Sequence, residues 1–312
     1  MIFSILMFCF ALILLWKSSD YVVEGGLGIA SHFNLSPLVV GLTFIAFGTS
    51  APELVVNVLA SLDMESNIVW GNILGSNISN TCLILGLVGL ISVIKIPARA
   101  LNRDTFFNLV VTGLILLFIY WPNGSSKQLA LIDGIVLLLL FIVYMGFVYK
   151  NKESIEPDLM IQSTKKRSLL MFLFGLILMP IAGKLVVDHA LALAVIFGMS
   201  ELFVSLFLVA LGTSLPELVT SVNAAIKGHT DMVAGNILGS NIFNFLLILG
   251  VSACINPVQF SSELVTEFSL LLIASFMIWL TIRLSQEYRL HRITSFALVS
   301  SYIFYVIYIG FR

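Results

Sequence analysis

The sequence predicts an all-α integral membrane protein of ten transmembrane helices, built as two inverted five-helix repeats. Three observations carry that expectation: apolar composition, apolar runs of membrane-crossing length, and one polar motif written twice. Of the 312 residues, 59% are hydrophobic and only 11% charged, with mean hydropathy +1.06. A soluble domain carries about 25% charged residues, because a water-facing surface needs them. Runs of roughly 17 to 25 apolar residues are long enough to cross about 30 Å of hydrocarbon as helix. A transmembrane barrel would instead show alternating segments of about ten residues, and none is present.

Taken in order, apolar runs fall at 3–30, 37–60, 69–94, 105–122 and 128–149, and again at 168–196, 200–226, 231–256, 264–283 and 293–311. The first run lacks a basic leader and a small-residue cleavage site and has a counterpart later in the chain, so it reads as a span, not a signal peptide. The first and sixth runs carry Lys17, Asp20 and Glu24, and Lys184, Asp188 and His189, which marks them as long or tilted. Residues 1–149 form the first repeat, 150–167 a short charged linker and 168–312 the second repeat. Cys9, Cys82 and Cys254 lie at unrelated spacings in apolar runs and read as small hydrophobes. A net charge of −1 offers no surface for nucleic acid.

The duplication is explicit. An offset of 164 lays Ala46-Phe47-Gly48-Thr49-Ser50-Ala51-Pro52-Glu53-Leu54 on Ala210-Leu211-Gly212-Thr213-Ser214-Leu215-Pro216-Glu217-Leu218 without a gap. The same offset lays Gly71 to Ile78 on the identical Gly235 to Ile242, and Asn80 on Asn244. An odd number of spans per repeat sends the second copy in from the opposite side. With both termini outside, predicted cytoplasmic segments hold twelve basic residues (Lys95, Arg99, Arg103, Lys150, Lys152, Lys165, Lys166, Arg167, Lys227, Arg283, Arg289, Arg292) and outer ones two, Lys127 and Arg312. Basic residues accumulate on the cytoplasmic side, so the expectation is N-terminus and C-terminus outside a cell membrane.

The motifs point to a cation. A carboxylate at the centre of a span costs at least about 2.5–3.5 kcal/mol and needs a partner or a purpose. Glu53 and Glu217 lie mid-span without a basic neighbour, and a two-fold axis in the membrane plane would bring them together. Pro52 cannot donate to the Gly48 carbonyl, nor Pro216 to that of Gly212, so backbone oxygens near Ala46–Thr49 and Ala210–Thr213 are freed. Asn72, Ser76 and Asn80, and likewise Asn236, Ser240 and Asn244, recur every fourth residue and form polar stripes on one helical face. Thr49, Ser50, Glu53 and Asn57 share another. Oxygen donors without His or Cys suit hard ions such as Ca²⁺ and Na⁺.

Blander roles stand beside these. Gly71 with Gly75, and Gly235 with Gly239, fit close helix packing. Asn72 and Asn236 fit helix caps as well as supports for the site, and Ser76 and Ser240 fit bonds to their own backbone. His32, His229 and His291, with Asp63, Glu65, Glu263 and Glu267, read as solvated loop residues, and Trp121 as an interface anchor.

At these paired motifs the sequence resembles the sodium/calcium exchangers of the calcium/cation antiporter superfamily, in their compact prokaryotic form. The resemblance implies ten helices in two inverted fives and no resident cofactor, Ca²⁺ and Na⁺ being transported ions. It implies that Glu53 and Glu217 are carboxylates shared by both ions, and that the carbonyls of Thr49 and Thr213 complete the Ca²⁺ site. Ser50, Ser214, Ser76, Ser240 and the carbonyls of Ala46 and Ala210 would serve flanking Na⁺ sites, with Asn80 and Asn244 as a central polar pair. Several relatives carry Asp where Asn244 stands, so K⁺ co-transport is not expected, and the centre keeps two carboxylates. The implied function is Na⁺/Ca²⁺ antiport by alternating access in a lipid bilayer, with helices 1 and 6 moving over the rest and no obligate protein partner. The alternatives are a Ca²⁺/H⁺ antiporter of the same fold, a cation channel, or an intramembrane hydrolase; the polar stripes have no role in the last, and an enzyme is not expected.

Overall fold

The computed structural model describes residues 2–94, 98–120, 127–150, 163–196, 210–285 and 289–311, without the side chains of 2, 98–103, 120, 190–191, 194–196, 210–213, 263 and 310–311. Most of the linker, together with Lys95, Lys152, Trp121 and Arg312, therefore lies outside the description. The described chain is helical: α1 (Ile2–Phe33), α2 (Pro37–Thr49), α3 (Ala51–Leu62), α4 (Ser66–Ile91), α5 (Ala98–Tyr120), α6 (Leu131–Lys150), α7 (Lys165–Ile196), α8 (Ala210–Ile226), α9 (Thr230–Ile255), α10 (Val265–Leu284) and α11 (Arg292–Phe311). Among the described residues 7 helices are long and apolar enough to cross a membrane, or 8 with α2 and α3 taken as one bent span. The expected seventh run, 200–226, is described only from residue 210.

Polarity is distributed as a bilayer demands. Glu53, Glu217, Asn80 and Asn244 are 0% exposed, whereas Ile132, Phe304 and Ile293 are 72% exposed or more. Outer apolar side chains of this kind suit a lipid surround, and the bundle buries its polar groups against one another.

Local chemistry sets the helix boundaries around the centre. Ser36 caps α2, accepting from Val39 N at 3.4 Å, and Pro37 follows at the first helical position, where its missing N–H is not needed. Helix α2 lies against α9 at Gly239, where an added Cβ would stand 2.8 Å from Leu42 O and 2.7 Å from Ala46 Cβ. Only a residue without a side chain allows that approach. The equivalent Gly71 and Gly75 meet nothing within 4 Å among the described residues; their symmetry-related partners, 202–210, lie almost wholly outside them. Helices α1 and α7 pack along each other, and Gly175 of α7 admits the Ser18 carbonyl in the same way.

The connections sort onto two faces. On one, β1 (Gln128–Leu129) pairs antiparallel with β2 (Val258–Gln259), Trp70 Nε1 donates to Gln259 O at 2.9 Å, and Asn256 Nδ2 donates to Ser61 O at 2.7 Å. On the other, His32 Nε2 bonds Ser163 O at 2.8 Å, and Leu290 N donates to Ile94 O at 3.4 Å. His32 and His291 are exposed as expected, while His229, before α9, is half-buried, and burial holds its imidazole below the usual pKa. Glu267 corrects the sequence reading: it lies in the first turn of α10, 6% exposed, not in a solvated loop. Asp63 and Glu65 are exposed.

Candidate cation site

Four helical segments meet at the centre. The first is the break between α2 and α3, which bend by 46° at Ser50 (φ −88, ψ 5). Pro52 occupies the start of α3, and Glu53 follows in its first turn, where helix N–H groups favour an anion. The second copy differs: α8 continues unbroken through Pro216. The other two segments are one-turn π-helical insertions, Ser79–Ile84 inside α4 and Phe243–Ile248 inside α9. They fall at matching places in the two repeats, and each aims an asparagine, Asn80 or Asn244, into the interior. Such wide turns recur at functional positions because they re-aim side chains and loosen the backbone ladder.

The carboxylates are held from both repeats. Ser76 Oγ donates to Glu53 Oε1 at 3.3 Å, and Ser50 Oγ donates to Glu217 Oε1 at 3.1 Å. Thr49 and Ser240 hydroxyls also lie beside the Glu217 carboxylate, and the two glutamates are near enough to interact electrostatically. Ser214 Oγ donates to Ser76 Oγ at 3.4 Å, as does Asn244 Nδ2 at 3.2 Å. Ser76 is thus a junction between the repeats and does not bond its own backbone.

Behind this layer a ring of amides fixes orientation. Asn72 Nδ2 donates to Glu53 O at 3.2 Å and to Asn57 Oδ1 at 2.7 Å. Asn236 Nδ2 donates to Ser221 Oγ at 3.2 Å, while its Oδ1 accepts from Thr49 Oγ1 at 3.3 Å. Neither asparagine caps a helix, since α4 starts at Ser66 and α9 at Thr230. Asn244 Nδ2 also donates to Asn77 Oδ1 at 2.8 Å, and Asn80 Nδ2 donates to Asn241 Oδ1 at 3.2 Å. Asn241 is fixed in turn by Thr81 at 2.8 Å. Asn77 and Asn241 escaped the sequence reading, although they stand inside the duplicated Gly-Asn-Ile-Leu-Gly-Ser-Asn-Ile segments; Thr81 carries no sequence signal, its counterpart being Phe245.

The unsatisfied atoms reveal the chemistry. Among the described residues, Glu53 Oε2, Glu217 Oε2, Asn80 Oδ1, Asn244 Oδ1 and Ser240 Oγ are buried without a hydrogen-bond partner. Four of these five are acceptor-only oxygens. A buried polar atom left unmatched costs about 1–3 kcal/mol and more if charged, so a cluster of acceptors calls for a cation. The orphaned donors Asn57 Nδ2 and Asn77 Nδ2 belong to the supporting amides. Lys17 and Lys184 are 66% and 78% exposed and paired with Asp20 and Asp188, so neither supplies the counter-charge. No group of three or more His, Cys, Asp or Glu is found among the described residues, so the donors are mostly neutral oxygens. The Ala46 carbonyl already accepts from Ser50 N at 3.0 Å and Thr49 Oγ1 at 3.4 Å. Ala210, Gly212 and Thr213 lie on the α8 backbone, the side chains of Ala210 and Thr213 being outside the described set.

The family described as sodium/calcium exchanger protein matches residues 3–150 and 167–311. The chain is 34% identical over 304 residues to the putative antiporter CaxA of Alkalimonas amylolytica, covering 94% of each. It is 30% identical over 314 residues to the sodium/calcium exchanger MaX1 of Methanosarcina acetivorans, covering 88% of each. A solved structure of the sodium-calcium exchanger NCX_Mj superposes with a TM-score of 0.85 at 32% identity, covering 98% of both chains. With a polar oxygen site inside an apolar helical bundle and these matches along its length, the chain belongs to the sodium/calcium exchanger family of membrane transporters, antiporters that use Na⁺ and Ca²⁺ as transported ions and no cofactor.

Proposed function

We propose that the chain is a secondary antiporter in which Na⁺ and Ca²⁺ compete for one central site built on Glu53 and Glu217. The observation that carries this reading is the buried set of unmatched acceptors around two carboxylates with no basic partner. Two carboxylates balance one Ca²⁺, and Asn80 and Asn244 add neutral oxygens to its shell. The hydroxyls of Ser50, Ser76, Ser214 and Ser240 flank the carboxylates and are the proposed additional ligands for Na⁺, with the Thr49 and Thr213 carbonyls completing the Ca²⁺ shell. Because both ions need the same two carboxylates, neither set can occupy the site beside the other. That exclusion couples the fluxes without a second binding machine.

The proposed topology is ten crossings in two inverted repeats, 1–149 and 168–312, with both termini outside. The sorting of connections onto two faces supports it. Proton coupling is the second reading: two protons neutralise the same carboxylates that one Ca²⁺ does. The serine hydroxyls favour Na⁺, since Ser50 and Ser76 already face the carboxylates and protons need no such ligands.

The test is transport of ⁴⁵Ca²⁺ in reconstituted vesicles. An outward Na⁺ gradient should drive uptake, and Glu53→Gln or Glu217→Gln should abolish it. Retained uptake in both variants would remove the site assignment, and uptake driven by a pH gradient in sodium-free buffer would transfer the coupling to H⁺.

A further inference from the structure

Away from the centre, the 164-residue offset relates two charge clusters in which the acid at 20 and the base at 227 exchange sign while the acid at 24 keeps its own. On one face, Lys227, just past α8, contacts Asp20 Oδ1 at 2.8 Å and Glu24 Oε1 at 3.0 Å, both on α1. Asn223, in the last turns of α8, donates to Asp20 Oδ1 and Ser19 Oγ at 3.0 Å each, and Ser19 Oγ donates to Val219 O at 3.3 Å. Partial burial opposes the Lys227 ammonium, but its bonds to Asp20 and Glu24 hold its pKa above the usual lysine value. The offset carries Asp20 onto Lys184, Glu24 onto Asp188 and Lys227 onto Asp63. Neighbouring residues confirm the register, with Leu12-Ile13-Leu14 on Leu176-Ile177-Leu178 and Val22-Val23 on Val186-Val187. The backbone confirms it too: the residues after Asp63 and Lys227 are both left-handed, Met64 at φ 60 and Gly228 at φ 85.

The second cluster is unmade. Lys184 pairs with Asp188 on its own helix at 3.6 Å, and Asp63 is exposed with no ion pair among the described residues. A cleft of about 530 Å³ opens between α3 and α7, lined by Val55, Val56, Lys184 and Asp188 and reaching Pro52 and Pro216, the residues just before the two glutamates. The matching surface on the other face is shut. Asn223 is 1% exposed where its counterpart Leu59 is 56%, and Ser19 and Val23 are 0% exposed.

We propose that these clusters are reciprocal latches: Asp20, Glu24 and Lys227 close one face, Lys184 and Asp63 close the other, and only one is made at a time. The proposal rests on the alternating-access reading above and adds the residues that set its balance. Helices α1 and α7 pack along each other through Gly175 and carry one half of each latch, so they move as one body. Exchanging the conformations of the two repeats gives α7 the present position of α1 against α8, now against α3, and brings Lys184 to Asp63. Opposite signs on the two faces mean that neither face can borrow the other's partner. A partly exposed ion pair contributes up to about 1 kcal/mol, so loss of one latch shifts the population of the two states by up to about fivefold.

The test uses the full chain in lipid nanodiscs, with Cys9, Cys82 and Cys254 replaced by alanine. Val55→Cys reports the open cleft and Val219→Cys its counterpart, each read as a rate of maleimide labelling. Lys227→Gln should slow labelling at Val55→Cys and speed it at Val219→Cys by up to about fivefold. Asp63→Asn should move both rates the other way, and the full charge exchange Asp20→Lys and Glu24→Lys with Lys227→Asp should restore the original ratio. An unchanged ratio in the folded single variants, or faster labelling on both faces, overturns the latches. Where Lys227→Gln fails to fold, Asp63→Asn carries the test, since it leaves the closed latch intact. Labelling is independent of which ion is carried: failed latches leave Na⁺-driven transport untouched, and failed transport leaves the labelling response readable.

Discussion

At the scale of single residues, Glu53 and Glu217 are costly without an ion. Both are fully buried, and each has one carboxylate oxygen with no donor among the described residues. A buried carboxylate lacking a charge partner is destabilising by several kcal/mol, and a bound cation removes that cost. Glu53→Gln should therefore raise the thermal midpoint in ion-free buffer while abolishing the rise that Ca²⁺ gives the unmodified chain. A Ca²⁺-dependent rise equal to that of the parent would show that Glu53 is not a ligand. Asn72 tests the supporting amides separately. Asn72→Leu leaves Asn57 Oδ1 and the Glu53 carbonyl without their donor, and should cost about 1–3 kcal/mol in denaturation in detergent. These residues were readable in advance because polar letters stand out in apolar text and occur twice. Thr81 did not stand out, since its hydroxyl matters only through contact with Asn241 on a distant helix. Glu267 was misread for a related reason: a loop-side position in the sequence says nothing about which neighbouring helix covers it.

At the scale of elements, the boundaries of the described helices followed apolar run length closely, with starts and stops marked by Ser36-Pro37 and the polar turns. What run length does not encode is the interior of each helix. The π-helical turns at Ser79–Ile84 and Phe243–Ile248 have no composition of their own, because a wide turn is selected by the packing around it. The proline break was anticipated in both repeats and is present at Ser50 only, while Pro216 lies inside a continuous helix. Helix-to-helix contact was legible at Gly235 and Gly239, whereas Gly71 and Gly75 meet nothing within 4 Å among the described residues. Gly239→Val places methyl groups into Leu42 O and Ala46 Cβ, both already within 3 Å of the position a Cβ would take. It should destabilise by about 1–3 kcal/mol through forced separation of α2 and α9. An unchanged melting curve would show that the contact between these helices yields freely.

For the whole molecule, charge and chain tracing together support the proposed sidedness. Helices α3 and α9 end, and α4, α6 and α10 begin, at the face where β1 pairs with β2. Helices α1, α4 and α6 end, and α2, α7 and α11 begin, at the opposite face, which gathers His32, Ser163 and Leu290. Following the helices outward from those contacts brings both ends of the chain to the β1–β2 face. The basic residues of the connections concentrate on the opposite face, at Lys150, Lys165, Lys166, Arg167, Lys227, Arg289 and Arg292. Because positive side chains resist translocation, the proposed orientation puts that face in the cytoplasm and the β1–β2 face outside. In whole cells expressing the chain with its native cysteines replaced, Glu65→Cys should react with a membrane-impermeant thiol reagent, and Lys166→Cys should react only after permeabilisation. The reverse pattern would invert the protein in the membrane and exchange the faces of the two latches. Equal reaction at both positions in intact cells would break the inverted-repeat topology itself.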